Sequence, residues 1–203
     1  MIIGDTSRFA IESGVTRAYE RLSFRALGYF AFHIGGQRFG VCEPDATLLA
    51  CALDRVEERL AARGTHTAPF GHAPAGEIVD AILDAIYNPE PRADSFFDLS
   101  MSEFSDAVHS SRCEWHRGFD EAFDDGSGIR QFDVGDRVRL IADRNQKRPF
   151  DWRHDAESLT DIWISAALFY GVLEEWRDAF LAEWQSAAKV PEKEDGAESV
   201  LKP

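Results

Sequence analysis

The chain is short of cysteine, of positive charge and of long apolar runs, and each shortage closes off a class of protein. Cys42, Cys51 and Cys113 are the 3 cysteines, odd in number and without a C-x-x-C pair. They read as reduced, isolated thiols rather than a disulfide framework. Only 22 lysines and arginines stand against 36 aspartates and glutamates, a formal net charge of −14. That balance argues against nucleic acid and anionic membrane surfaces as partners and favours a basic one. No run of about 18 apolar residues appears. The opening M-I-I-G-D-T-S-R-F has no basic segment leading into an apolar one, so the expected compartment is the cytoplasm. G-x-S-x-G, P-loop, G-x-G-x-x-G and H-E-x-x-H patterns are all missing, which removes the common nucleophile, phosphate-cradling and metalloprotease devices. No catalytic residue and no cofactor is therefore assigned. Among the histidines, only His109-x3-Cys113-x2-His116 has ligand-like spacing. A structural zinc site wants four ligands, and no second pair accompanies it, so no metal is expected.

What is present is a foldable core. Hydrophobic residues make up 44% of the 203 positions, enough for one domain, placed at residues 1–188. The charged, proline-bearing stretch 189–203 is expected to be a disordered tail. The most informative segment is Ala26 to Val41, A-L-G-Y-F-A-F-H-I-G-G-Q-R-F-G-V. Gly35-Gly36 supplies the positive φ angles of a two-residue hairpin turn, and that loop forces the register. Ile34 then faces Gln37, His33 faces Arg38, Phe32 faces Phe39, Ala31 faces Gly40 and Phe30 faces Val41. Alternation puts Phe30, Phe32, Ile34, Phe39 and Val41 on a buried side, with Tyr29, Ala31, His33 and Arg38 opposite.

The remaining elements follow from period and punctuation. Arg8 to Glu12 alternates as a strand, while residues 14 to 23 carry no clean period. A helix is expected after Pro44-Asp45, capped by Asp45, with Leu49, Ala52, Val56 and Leu60 on one face until Gly64 stops it. Residues 64–76 read as loop, 77–87 as a second helix ended by Asn88-Pro89. Strands are expected at 130–134 and 138–142 around Gly135-Asp136, and another at 159–164. Ser165 caps a long helix in which Phe169, Leu173, Trp176, Phe180 and Trp184 form one stripe, expected to pack on the hairpin's apolar face. The fold class is α+β: an antiparallel sheet holding the N-terminal hairpin and the 130–142 strands, helices packed on one face, and a long C-terminal helix.

From Asp94 to Asp136 the chain carries 11 acidic residues against Arg112, Arg117 and Arg130. Phe96, Phe97, Phe104, Trp115, Phe119, Phe123 and Phe132 share the tract, so it is too aromatic to be a disordered acidic tail. Carboxylates that ring an aromatic residue suit an interface, and the residues assigned to partner binding are Asp120, Glu121, Asp124 and Asp125, with Trp115 as the aromatic anchor. The rival reading is a solvated face whose aromatics turn into the core.

One run from Glu121 reads E-A-F-D-D-G-S-G-I-R-Q-F-D-V-G-D-R-V-R-L-I-A. Together with the opening M-I-I-G-D-T-S-R-F-A-I, the hairpin G-Y-F-A-F-H-I-G-G-Q-R-F-G and the closing F-Y-G-V-L-E-E-W-R-D-A-F-L-A-E-W, it resembles the immunity protein 42 family. The resemblance runs in order from Met1 to Trp184. It implies a bacterial immunity protein of a polymorphic or contact-dependent toxin system, one that binds a cognate toxin domain and keeps it inactive. A nuclease toxin is the favoured partner, because a surface that holds phosphates is basic and would complement this acidic chain. The His109–His116 segment matches nothing in that family. The alternative is a small hydrolase using the Glu114–Asp125 acidic cluster. The register itself is testable: Phe32→Asp would bury a charge without a partner, and the variant is expected to be insoluble or unfolded. A variant that melts like the parent would show the assigned register to be wrong.

Overall fold

Gly35 and Gly36 adopt φ of +59° and +82°, the left-handed pair that a tight hairpin needs. In the computed structural model, which describes residues 1–115, 121–145 and 152–190, this turn joins β3 (Ala26–Ile34) to β4 (Gln37–Phe39). Phe32 faces Phe39, His33 faces Arg38 and Ile34 faces Gln37, the register expected. Pairing stops two steps early. Gly40 sits at φ +117° and the Val41 amide donates to the Ala122 carbonyl at 2.8 Å, so the Ala31–Gly40 and Phe30–Val41 pairs do not form. Of the face named as buried, Phe30, Phe32, Ile34 and Phe39 are buried and Val41 is half-buried.

Two strands precede the hairpin: β1 (Ile2–Asp5) and β2 (Phe9–Tyr19). The sheet order is β1-β2-β3-β4, all antiparallel, with β5 (Thr47–Leu48) against β3. β2 is far longer than Arg8–Glu12. A register shift between Val15 and Arg17 breaks its alternation, which is why residues beyond Gly14 show no clean period. The first helix, α1 (Leu49–Ala61), starts later than expected, because Thr47 and Leu48 pair with β3. Leu48 is its N-cap position and supplies no side-chain cap. Asp45 instead lies at φ +62° and pairs with Arg17 at 3.1 Å.

α2 (Ala75–Ile82) runs on as a π-helical turn over Leu83–Tyr87. β6 (Ser95–Phe96) and β7 (Leu99–Ser100) form a minimal hairpin that leads into α3 (Met101–Ser111), whose start is fixed by a reciprocal Ser100–Glu103 capping box. β8 (Ser127–Val134), β9 (Arg137–Arg144) and β10 (Thr160–Ser165) then build a second sheet in the order β10-β9-β8. The expectation that the 130–142 strands join the hairpin's sheet is therefore corrected. The two sheets meet without a shared ladder: Gly40 N donates to Ser127 Oγ at 3.2 Å, and an Arg144 guanidinium nitrogen donates to the Arg38 carbonyl.

α4 (Ala166–Ser186) is capped by Ser165, whose hydroxyl accepts from Leu168 N at 3.2 Å. Phe169, Leu173, Trp176 and Phe180 are buried and Trp184 is partly so. Trp176 meets Phe30 edge to face at 5.0 Å and Phe169 meets Phe9 at 4.9 Å, so the stripe does cover the hairpin's apolar face. β11 (Lys189–Val190) pairs in parallel with Ala18–Tyr19, so the first two residues assigned to a disordered tail belong to the sheet. Residues 191–203 lie outside the described residues. A second apolar cluster gathers Phe70, Ile78, Ile82, Phe104, Phe132 and Ile141 beneath α2 and α3.

Inside the second sheet lies an ion pair. Arg130 Nη1 donates to Asp143 Oδ1 at 2.6 Å, with both side chains 2% exposed. Removing one partner strands a buried charge, so Arg130→Met should cost about 3–5 kcal/mol. Arg130→Met with Asp143→Leu should recover most of that loss, as read from urea midpoints; equal losses in the single and double variants would refute the argument.

Candidate functional site

The structure divides the acidic tract between two environments. Its described aromatics turn inward: Phe104, Trp115, Phe123 and Phe132 are buried and Phe96 and Phe97 are half-buried, while Phe119 lies outside the described residues. Trp115 is 1% exposed. Its ring meets Phe32 edge to face at 4.9 Å and its Nε1 donates to Gln131 Oε1 at 3.0 Å. The assignment of Trp115 as a surface anchor is thus overturned, since its ring forms part of the core. Two of the tract's carboxylates are buried as well. Asp133 accepts from the Tyr170 hydroxyl at 2.9 Å and from the His66 amide at 3.1 Å. Glu114 accepts from the Tyr87 hydroxyl at 3.2 Å.

Glu121 and Asp124, by contrast, are exposed and Asp125 is half-buried. These three share an open groove of about 750 Å³ with Arg38 of β4, with Glu43 and Asp45 of the segment that follows the hairpin, and with Arg144 of β9. Five carboxylates thus meet two arginines. Asp125 is spent on structure: one of its oxygens takes the Arg144 Nε at 3.1 Å and the Gly40 amide at 3.3 Å, and the other takes the Ser127 amide at 3.1 Å. It staples the hairpin's end to the second sheet. Asp45 is held by Arg17. Glu43, Glu121 and Asp124 have no side-chain partner among the described residues, so their charge faces solvent uncompensated. Asp120 falls within 116–120, outside the described residues. Glu43 escaped sequence reasoning because nothing in its neighbourhood announces that the hairpin's exit lies beside residues 121–125.

The His109–His116 segment is likewise dispersed. His109 is exposed on α3, with Nδ1 2.6 Å from the Ser105 carbonyl. Cys113 is fully buried, and burial pushes its thiol up to about 11, so it stays protonated. His116 lies outside the described residues, and among the described residues no cluster of three metal-ligating side chains occurs. Of the acidic cluster named for the hydrolase alternative, Glu114 lines a cavity between α1 and α3, Glu121, Asp124 and Asp125 line the groove, and Asp120 falls outside the described residues.

Residues 1–179 of the chain match the immunity protein 42 family. The chain belongs to that family. With membership comes an immunity function against a toxin. No curated protein matches the chain. Among solved structures, CdiI from Burkholderia dolosa AUO158 is similar with a TM-score of 0.50 and 16% identity, over 88% of this chain and 99% of that one. At that identity the likeness speaks for the fold. Among the described residues of this immunity protein, no helix is long and apolar enough to cross a membrane.

The groove's carboxylates divide into structural and free groups, and substitution separates them. Asp125→Ala takes one of two acceptors from the Gly40 amide and from the Arg144 guanidinium, and the side-chain acceptor from the Ser127 amide, a loss of about 1–3 kcal/mol. Glu121→Ala and Asp124→Ala should melt within about 0.5 kcal/mol of the parent. Thermal unfolding of the three variants checks the distinction.

Proposed function

We propose that this immunity protein neutralises its toxin by direct contact rather than by chemistry, and that the toxin docks a basic surface on the groove between residues 38–46 and 121–125. The observation that carries this reading is the set of unpaired carboxylates, Glu43, Glu121 and Asp124, held at the mouth of a groove whose walls are fixed by Asp125 and Arg144. Uncompensated charge on a rigid frame raises encounter rates with an oppositely charged partner and costs no rearrangement on binding. A nuclease is the toxin class that fits best, because the surface that would hold phosphates is the surface this groove complements. The likeness to CdiI supports placing the system among contact-dependent inhibitors, with the immunity protein acting in the cytoplasm of the cell it protects.

The test is to co-express the toxin domain encoded beside this gene with the parent and with the Glu43→Ala/Glu121→Ala/Asp124→Ala variant. Protection of growth should weaken. The association rate at low ionic strength should fall about tenfold or more, with a flatter dependence on salt. A folded triple variant that protects fully and associates at the parent's rate would exclude the groove as the docking surface. Loss of the toxin's nucleic-acid cleavage on adding the parent protein would support the nuclease assignment, and a toxin without such activity would remove it.

A further inference from the structure

Away from the groove, a cavity of about 380 Å³ lies between α1 and the end of α3. Its size falls within the range of small-molecule sites. Arg55, Arg59 and Arg112 line it against Glu58 and Glu114, but the two glutamates are already engaged. Glu58 pairs with Arg55 at 2.7 Å, and the Glu114 carboxylate is held by the Tyr87 hydroxyl. The other two arginines are different. Arg112 is exposed, in the left-handed conformation that ends α3, and its side chain has no partner among the described residues.

Arg59 is the unusual cation. It is 5% exposed and makes no ion pair among the described residues. Its guanidinium donates to the carbonyls of Arg112 and Glu114 and lies 4.7 Å from the Trp115 ring centroid, all neutral acceptors. A buried charge without a counter-ion is costly, and a negative group brought alongside would recover part of that cost. His66 shares the cavity wall at 2% exposure. Its Nδ1 sits between the Ser111 carbonyl at 3.0 Å and Arg59 Nη1 at 3.1 Å, while its Nε2 is buried with no hydrogen-bond partner. An unpaired arginine, an orphaned imidazole nitrogen and an open cavity converge on one place.

We propose that this cavity is a binding site for a small anionic molecule bearing a carboxylate or phosphate group, received by Arg112 at the mouth and Arg59 within. The site is separate from the groove and its existence does not depend on the toxin-binding reading. Arg59 is charged across the physiological range, because even with burial pulling it down to about 10 it holds its proton at neutral pH. Arg59 also fastens the 112–114 segment to α1 through its two carbonyl contacts, so an occupied cavity would steady the segment that leads into Trp115.

The full chain, with its histidines labelled with nitrogen-15, should be titrated separately with inorganic phosphate and with citrate, sodium chloride holding the ionic strength constant. The ring nitrogens of His66 are expected to shift saturably with at least one of the two, at a Kd of about 1 mM or tighter, while those of His72 and His154 do not. Arg112→Gln removes an exposed, unpartnered side chain, so the variant should melt with the parent in the absence of anion yet bind at least about tenfold more weakly. The proposal is overturned if chloride alone gives the same response, if Arg112→Gln binds as the parent does, or if neither anion saturates. A variant that loses affinity for the toxin when neither anion binds the parent would also overturn it, showing that the cavity receives an acidic side chain of a protein instead.

Discussion

Phe30 stands edge to face against Trp176 at 5.0 Å and Phe32 against Trp115 at 4.9 Å, and through these two contacts the hairpin is joined to the C-terminal helix and to the middle of the chain. Trp176 belongs to α4 and Trp115 to the segment that runs beside β8, where its amide donates to the Ile129 carbonyl at 2.8 Å. Each large aromatic buried in this way contributes about 2–3 kcal/mol in area alone, with about 1 kcal/mol more from pair geometry. The alternation that Gly35-Gly36 imposes on β3 sends Phe30 and Phe32 to the same side, so one turn sets both contacts. A register slip of one residue would withdraw both rings together.

The second sheet enters that core through Ile129, Val138, Leu140 and Ile164, and a polar chain fastens it there. Trp115 donates to Gln131, Gln131 donates to Tyr170 and Asp133, and Tyr170 donates to Asp133, every link between 2.9 and 3.2 Å. Burial and the neighbouring Asp133 carboxylate push the Tyr170 hydroxyl up, so it remains a donor at any ordinary pH. A network of this kind is worth having only when each member is satisfied, and here each is: Gln131 uses both ends of its amide, and Asp133 receives the His66 amide as well. The network joins α4 to β8 where the two sheets share no ladder. These directed hydrogen bonds at the centre and the Asp125 staple at the rim add to the apolar packing that the two sheets share.

Legibility in the sequence tracked the range of the interactions. The hairpin's turn and register, and the stripe and cap of α4, depend on residues within one element, and both were readable. The division into two sheets depends on where residues nearly 90 positions apart meet, Gly40 with Ser127, and no local period encodes it. Trp115 misled for a similar reason. Charged neighbours in sequence suggested a surface, but the segment is extended and pairs through Glu114 with Arg130, so alternate residues point opposite ways and Trp115 turns into the core. The capping box at Ser100-x-x-Glu103 is a local signal that announces α3, and the charge and aromatic content of the tract do not reveal it. Of the interface assignment, Glu121 and Asp124 emerge as exposed carboxylates in the groove, and Asp125 as a structural group.

Separation of the charge from the core has a consequence for how such a protein can change partners. Glu43, Glu121 and Asp124 sit on segments whose backbone is fixed by others: by Asp125 and Arg144, by the Val41 amide on the Ala122 carbonyl, and by Phe123 stacked on Phe32. Exposed side chains on such a frame are replaced at little cost in stability, whereas the frame's own residues are not. Specificity between partners is a difference of affinities, tuned by attractive and repulsive contacts alike. A rim of free carboxylates above an inflexible base lets those contacts vary while Phe30, Phe32, Trp115 and Trp176 stay as they are, because none of the four reaches the surface where a partner would be read.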